Sequence, residues 1–227
     1  MRSPGSSSRT GISGRSRGSW TKTCWRRAWL CCFTLAAVGT ADAVPTIGEM
    51  TRIQGACQGR VDGASKNLAS GAVVFANELI ATGPAARLEI TLTDETVLTL
   101  GDNATLTLDA FVFKPGETEN LHAAVTGAFR FVSGKLAAAA ATRDASVTTP
   151  FATIGIRGTN FWGGPIDGRF GVVLLEGPVT LSHRGRSTTL RHSHEGVDLD
   201  GLAAPRGPVK AWAAAKISRA IATVTFR

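Results

Sequence analysis

From Arg87 to Thr93 polar and apolar side chains alternate without a break, Leu88, Ile90 and Leu92 interleaved with Arg87, Glu89, Thr91 and Thr93. Successive side chains of an extended chain point to opposite faces, so this pattern prescribes a strand with one face buried and one wet. Asp94-Glu95-Thr96 breaks it, Leu98 and Leu100 resume it, and Gly101-Asp102-Asn103 turns the chain before Leu106 and Leu108 alternate again. Strands therefore recur about every nine residues. Further strands are expected at Phe111-Phe113, Phe129-Phe131, Val147-Thr149, Ile154-Ile156, Val172-Leu175, Val179-Leu181 and Thr188-Leu190, nearly all bounded by Gly, Pro, Asp or Asn. No crossover helix separates them, which excludes a doubly wound parallel sheet. The fold class is all-β, a β-solenoid-like or rolled β-sandwich of many short strands.

Two segments depart from this pattern. The five alanines Ala137–Ala141 have high helix propensity but are too few for an isolated helix, and are read as a loop or one turn. After Pro208, Trp212, Ala215, Ile217, Ala220 and Ile221 recur at helical spacing, predicting one helix from Val209 to Ala222 whose apolar stripe packs on the β domain. The organisation expected is residues 1–43 as a removed signal peptide, 44–207 as a β domain, and 208–227 as a C-terminal helix and tail.

The leader explains the charge. Of 25 bases, Arg2, Arg9, Arg15, Arg17, Lys22, Arg26 and Arg27 precede Ala43, with Asp42 the one acid there. Eighteen bases against sixteen acids remain from Val44 onward, a balance of +2, so the overall +8 gives no reason to expect a nucleic-acid surface. A basic stretch, an apolar run from Ala28 to Val38 and Ala41-Asp42-Ala43 form an export signal cleaved after Ala43, by the general secretory route. That run is shorter than the roughly 20 residues a permanent span needs, so no stable membrane insertion is expected. Cys24, Cys31 and Cys32 leave with the leader, and Cys57 remains alone as a small buried apolar residue.

Candidate sites are few. Arg157 can tie loop carbonyls together or receive an anionic ligand through its five-donor fork. Phe161 and Trp162, followed by Gly163-Gly164-Pro165 and Asp167-Gly168 as hairpin punctuation, could form an exposed aromatic platform for a glycan, or pack in the core. His192 and His194 would share one face if their segment were a strand, the only hint of a metal site, set against a solvated turn. Ser133-Gly134 and Ser182-His183 lack the glycine-bracketed elbow of a nucleophile. Asp94, Asp102 and Asp109 are turn residues, and no glycine-rich phosphate cradle is present. No catalytic residue and no cofactor is expected; a hydrolase would need two titratable groups brought within hydrogen-bond reach in a pocket.

Several segments in order resemble the FecR-domain family, that of the periplasmic regulator of ferric citrate uptake. They are Gly55–Val61; Asn77-Glu78-Leu79-Ile80-Ala81-Thr82-Gly83; Ala86–Asp94; Gly127-Ala128-Phe129-Arg130-Phe131-Val132-Ser133-Gly134; Thr149-Pro150 through Ala152-Thr153-Ile154-Gly155-Ile156-Arg157-Gly158-Thr159; and Leu174-Leu175-Glu176-Gly177. The family often has Asp-Gly-Thr where this chain has Asp94-Glu95-Thr96, implying a turn built differently here. The resemblance implies a non-catalytic protein-interaction or sensing module of the bacterial cell envelope, periplasmic or secreted. It lacks the membrane-spanning and anti-sigma segments that the signal-transmitting members carry. Arg157, Thr159, Phe161 and Trp162 are the candidate binding residues, with an envelope or surface protein as partner; the alternative is a carbohydrate or cell-wall binding protein using Phe161 and Trp162.

Overall fold

The computed structural model describes residues 46–61, 63–114, 118–134, 142–199 and 207–227. The expected signal peptide and cleavage point and the Ala137–Ala141 run lie outside the described residues. In chain order the strands are β1 (Thr46–Gln54), β2 (Cys57–Val61), β3 (Ala64–Asn67), β4 (Val73–Phe75), β5 (Leu79–Thr82), β6 (Arg87–Leu92), β7 (Val97–Leu100), β8 (Thr105–Lys114) and β9 (Thr118–Thr126). They continue as β10 (Phe129–Val132), β11 (Thr142–Thr148), β12 (Thr153–Ile156), β13 (Asn160–Ile166), β14 (Arg169–Glu176), β15 (Val179–His183), β16 (Arg186–Leu190), β17 (Glu195–Leu199) and β18 (Lys210–Ala211), and end in α1 (Ala214–Ala222).

Two open nine-stranded sheets carry all of these strands. The first runs β18-β17-β14-β13-β10-β7-β6-β1-β4 and the second β16-β15-β12-β11-β9-β8-β5-β2-β3. Past its β1/β4 or β2/β3 end, each sheet follows chain order. Neighbours are antiparallel except β9 and β11, the one parallel pair among the described strands, formed because the chain leaves the second sheet after β9, adds β10 alone to the first, and returns.

The alternation read from the sequence becomes one apolar core. Leu88, Ile90, Leu98, Leu100, Phe129, Phe131 and Phe161 from the first sheet join Ile80, Leu106, Leu108, Val147, Ile154 and Leu181 from the second in a single cluster. Phe161 stacks on Phe131 at 5.6 Å and meets Phe129 edge-on at 5.8 Å. Cys57 is buried and unpaired, and burial pushes its thiol pKa up.

Three expectations are corrected. Phe111-Phe113 is not a separate strand but the continuation of β8 past an irregularity between Leu108 and Ala110. Gly163-Gly164-Pro165 does not turn the chain, because β13 runs straight through it and only Asp167-Gly168 make the hairpin turn. Gly163 is needed because a Cβ there would stand 2.8 Å from the Phe129 ring, and a Cβ at Gly164 would stand 2.7 Å from Ala128 Cα. Pro165 is tolerated because β10 pairs with β13 only as far as Gly163, leaving no ladder partner on that side. The C-terminal helix starts at Ala214, not Val209, because Lys210 and Ala211 pair with β17 and Trp212 N–H donates to His194 O at 2.9 Å.

Since Phe161 and Trp162 are adjacent in a strand, they face opposite ways. Trp162 enters a second cluster on the outer face of the first sheet with Ala128, Ile166, Val173, Trp212, Ala220 and Val224. Trp212 is 6.3 Å from Trp162, and Gly171 and Gly196 open the slot that holds its indole. Lys216 contacts Asp198 at 2.8 Å and Arg219 contacts Asp167 at 2.8 Å; the Arg219 hydrogen bond is the main cause holding the Asp167 carboxyl below its ordinary pKa. A side chain at Gly196 must push the indole out. Gly196→Ala is therefore expected to lower stability by about 1–3 kcal/mol and to red-shift tryptophan emission, measured by urea unfolding followed by fluorescence.

Candidate functional site

Four of the segments singled out in the sequence meet at one end of the first sheet. Asp94-Glu95-Thr96 precedes β7, Ser133-Gly134 follows β10, Arg157-Gly158-Thr159 precedes β13, and Glu176-Gly177 closes β14. These strands are neighbours, with Val97 opposite Val132, Val132 opposite Asn160 and Asn160 opposite Glu176, so the four corners stand in a row.

The row is closed by backbone contact. Asp94 Oδ1 accepts Thr96 N–H at 2.9 Å, and Asp94 Oδ2 accepts the Thr96 hydroxyl at 2.7 Å. Thr96 Oγ1 in turn accepts Gly134 N–H at 3.2 Å. A Cβ on Gly134 would overlap Asp94 O, so no other residue fits there without displacing the turn. Next along, Ser133 N–H donates to Thr159 O and Thr159 N–H to Ser133 Oγ, both at 2.9 Å. Gly177 sits at φ 70 with its missing Cβ directed onto Gly158 O, and Gly158 itself is at φ 65. Asp94, Thr96, Gly134 and Thr159 are buried, so their bonds are not exchanged for water and help to fix the corners.

Glu95 takes φ 64. The turn is thus built in the left-handed conformation that suits glycine, not differently as the departure from Asp-Gly-Thr implied; Glu95 adopts it against its Cβ.

What the row presents outward is charged. Glu95, Arg157 and Glu176 are exposed while Asp94, Thr96 and Thr159 are buried. Arg157 makes no side-chain hydrogen bond or ion pair among the described residues, so the loop-tying role weighed for it is not realised and its guanidinium is open to solvent. Thr159 is 3% exposed, with a buried hydroxyl that has no partner among the described residues. Phe161 and Trp162 are both 0% exposed, which overturns the aromatic platform: one ring is in the main core and the other beneath the C-terminal helix.

The His192–His194 segment is a turn, so the shared strand face that would bring both imidazoles to one metal is absent. His194 sits at φ 72, and His192 Nδ1 is 2.9 Å from Glu195 Oε1. Glu195 Oε2 accepts the N–H groups of Arg191 (2.8 Å) and His192 (3.1 Å), and these backbone donors pull its pKa down to about 2. Among the described residues no three His, Cys, Asp or Glu side chains gather as a metal site. One constellation went unread: His122 Nδ1 lies 2.9 Å from Ser146 Oγ, and His122 Nε2 lies 3.6 Å from Asp144 Oδ2. It arises from the parallel β9/β11 register, which puts His122 opposite Ser146. Both strands are interior to the sheet, which commits their own amides to the ladder.

Among the described residues no helix is long and apolar enough to cross a membrane. An all-β, two-sheet domain whose corners are fixed by Asp-x-Thr, Ser-Gly, Arg-Gly-Thr and Glu-Gly is the class these observations define. Residues 78–180 match the family model described as FecR protein, and over that stretch the chain is similar to a FecR domain. Two crystal structures of a provisionally assigned anti-sigma factor from Parabacteroides distasonis ATCC 8503, at 1.65 and 2.50 Å, are similar to it at 17% identity and TM-score 0.51. In each case the similarity covers 62% of this chain and 62% of the other, so the chain spans about three fifths of the structures it matches. No curated protein sequence matches the chain.

Two outcomes follow from the corners. Glu95→Val is expected to be less stable than Glu95→Gly by at least about 1 kcal/mol in chemical denaturation, because a β-branched residue resists φ 64. At Glu195 the folded pKa is depressed from 4.5 to about 2, so the turn's stabilisation is complete above 4.5 and is lost as pH falls through about 2. Hydrogen exchange at the Arg191 and His192 amides should lose protection over that window, and Glu195→Gln should remove the dependence.

Proposed function

We propose that this protein is a non-catalytic interaction or sensing module of the bacterial cell envelope, working through the charged row of corners formed by Glu95, Arg157 and Glu176. The observation that carries this reading is that the segments resembling the FecR family converge on one exposed row, with Arg157 free of partners among the described residues and Thr159 anchoring the corner behind it. A rigid row with an unpaired guanidinium between two carboxylates suits a polar protein surface, where such groups set orientation and partner choice. The partner is an envelope or surface protein.

In this reading the leader is removed after Ala43 and the mature chain acts in the periplasm or outside the cell; β1 opening at Thr46 supports it. The β domain covers 44–207, with 208–227 as its C-terminal helix and tail. Strands added in chain order along both sheets support a solenoid-like roll, a shape that displays successive corners in register. Among the described residues no helix is long and apolar enough to cross a membrane, and in this reading the module acts by modulating another protein.

Affinity capture from an envelope extract tests the reading. The native chain should enrich a defined envelope protein, and Arg157→Glu should reduce that capture by about tenfold while leaving the unfolding midpoint unchanged. Equal capture by both chains, or no enrichment by the native one, would count against it.

A further inference from the structure

Residues 207–227 cross the outer face of the first sheet as an arm. It begins at one edge, where β18 pairs with β17, drops Trp212 over Gly171 and Gly196, and lays α1 on Ala128, Trp162, Ile166 and Val173. Past the helix, Thr223 Oγ1 accepts the Trp162 indole N–H at 3.0 Å, Phe226 packs against the Arg52 guanidinium at 4.1 Å, and Arg227 N–H donates to Gln54 Oε1 at 2.9 Å.

The composition of this arm differs from that of the domain beneath it. From Lys210 to Arg227 it has four bases, Lys210, Lys216, Arg219 and Arg227, and no acid, against the apolar set Trp212, Ile217, Ile221, Val224 and Phe226. Its helix is nine residues long with no side-chain cap at Ala213 and no acid in its first turn, too short and too poorly capped to persist alone. The helix is therefore maintained by what it lies on. Two carboxylates hold its charge: Asp198 contacts Lys216 at 2.8 Å and Lys210 at 3.7 Å, and Asp167 contacts Arg219 at 2.8 Å and Lys216 at 3.6 Å. Asp167 is about half exposed, as is Arg219, so another anionic surface can compete for that half of the latch.

We infer that this arm is a latent anchor for anionic membrane surfaces, held closed by Asp167 and Asp198. A basic amphipathic segment with aromatic residues seeks a bilayer interface, where acidic headgroups supply the counter-charge that the two aspartates supply in the fold, and the acyl boundary replaces the Trp162 strip. Binding would be reversible and peripheral. The inference is independent of the protein-partner reading above, and its assay contains no protein partner.

Co-sedimentation of the full chain with vesicles of phosphatidylcholine, alone or mixed with phosphatidylglycerol, tests it, with hydrogen exchange over residues 210–227 read in parallel. Asp167→Asn is the main variant, because asparagine tolerates the φ of 51 at that turn and the position is exposed, so the fold is kept. It should open the arm and pellet with phosphatidylglycerol vesicles at least fivefold more than the native chain. Salt should reverse this, phosphatidylcholine alone should not support it, and adding Lys216→Gln and Arg219→Gln should abolish it. Adding Asp198→Asn should strengthen it. An arm that opens while the chain stays in the supernatant overturns the inference. So does an arm that exchanges into a dimer without lipid, or one that remains protected and unbound in every variant.

Discussion

Backbone touches backbone where Gly134 meets Asp94 O and where Gly177 meets Gly158 O, and the row of corners depends on those two approaches. A side chain at either glycine would wedge apart neighbouring turns whose buried hydroxyls and carboxylate are matched to one spacing. The strands attached to them carry the aromatic residues Phe129, Phe131 and Phe161, so a displaced corner would also disturb these ring contacts in the core. Polar latches and apolar packing thus act on the same strands from two directions.

The same economy of space operates on the outer face. Gly171 and Gly196 leave a slot that the Trp212 indole fills, and Trp162, adjacent in sequence to a core phenylalanine, becomes the floor on which the C-terminal helix rests. One strand, β13, therefore serves two apolar clusters, which explains why five of its seven residues are buried. The helix adds little intrinsic propensity of its own and takes its form from this surface.

Much of the fold was legible because period-two alternation is a direct imprint of a sheet with one dry face: β6, β7 and the first half of β8 can be read off Leu88 through Leu108. β1, β2, β3, β4, β5, β9, β13, β17 and β18 went unread, and three of them show how the imprint fails. β3 is exposed along its whole length, β13 is buried on both faces and studded with glycine, and β17 is apolar only through contacts made far away in sequence. The corners were visible as glycine beside Ser, Thr or Asp, yet their convergence was not, since it depends on strand order across residues 94 to 177. Arg157 is conspicuous in the sequence, but its freedom from partners among the described residues is a property of the surrounding surface. The burial of Trp162 was hidden because the helix that covers it lies fifty residues downstream.

The parallel pairing of β9 with β11 has a consequence for assembly. β8 gives β9 an antiparallel neighbour at once, but the other edge of β9, like that of β5 before it, must wait for the chain to visit the opposite sheet and come back. Until then it presents an open row of amides and carbonyls to whatever else is extended nearby. A chain delivered from its N-terminus onward would hold a half-built molecule with one sticky border at that moment, and its yield would be set by how quickly residues 142–148 arrive to cover it.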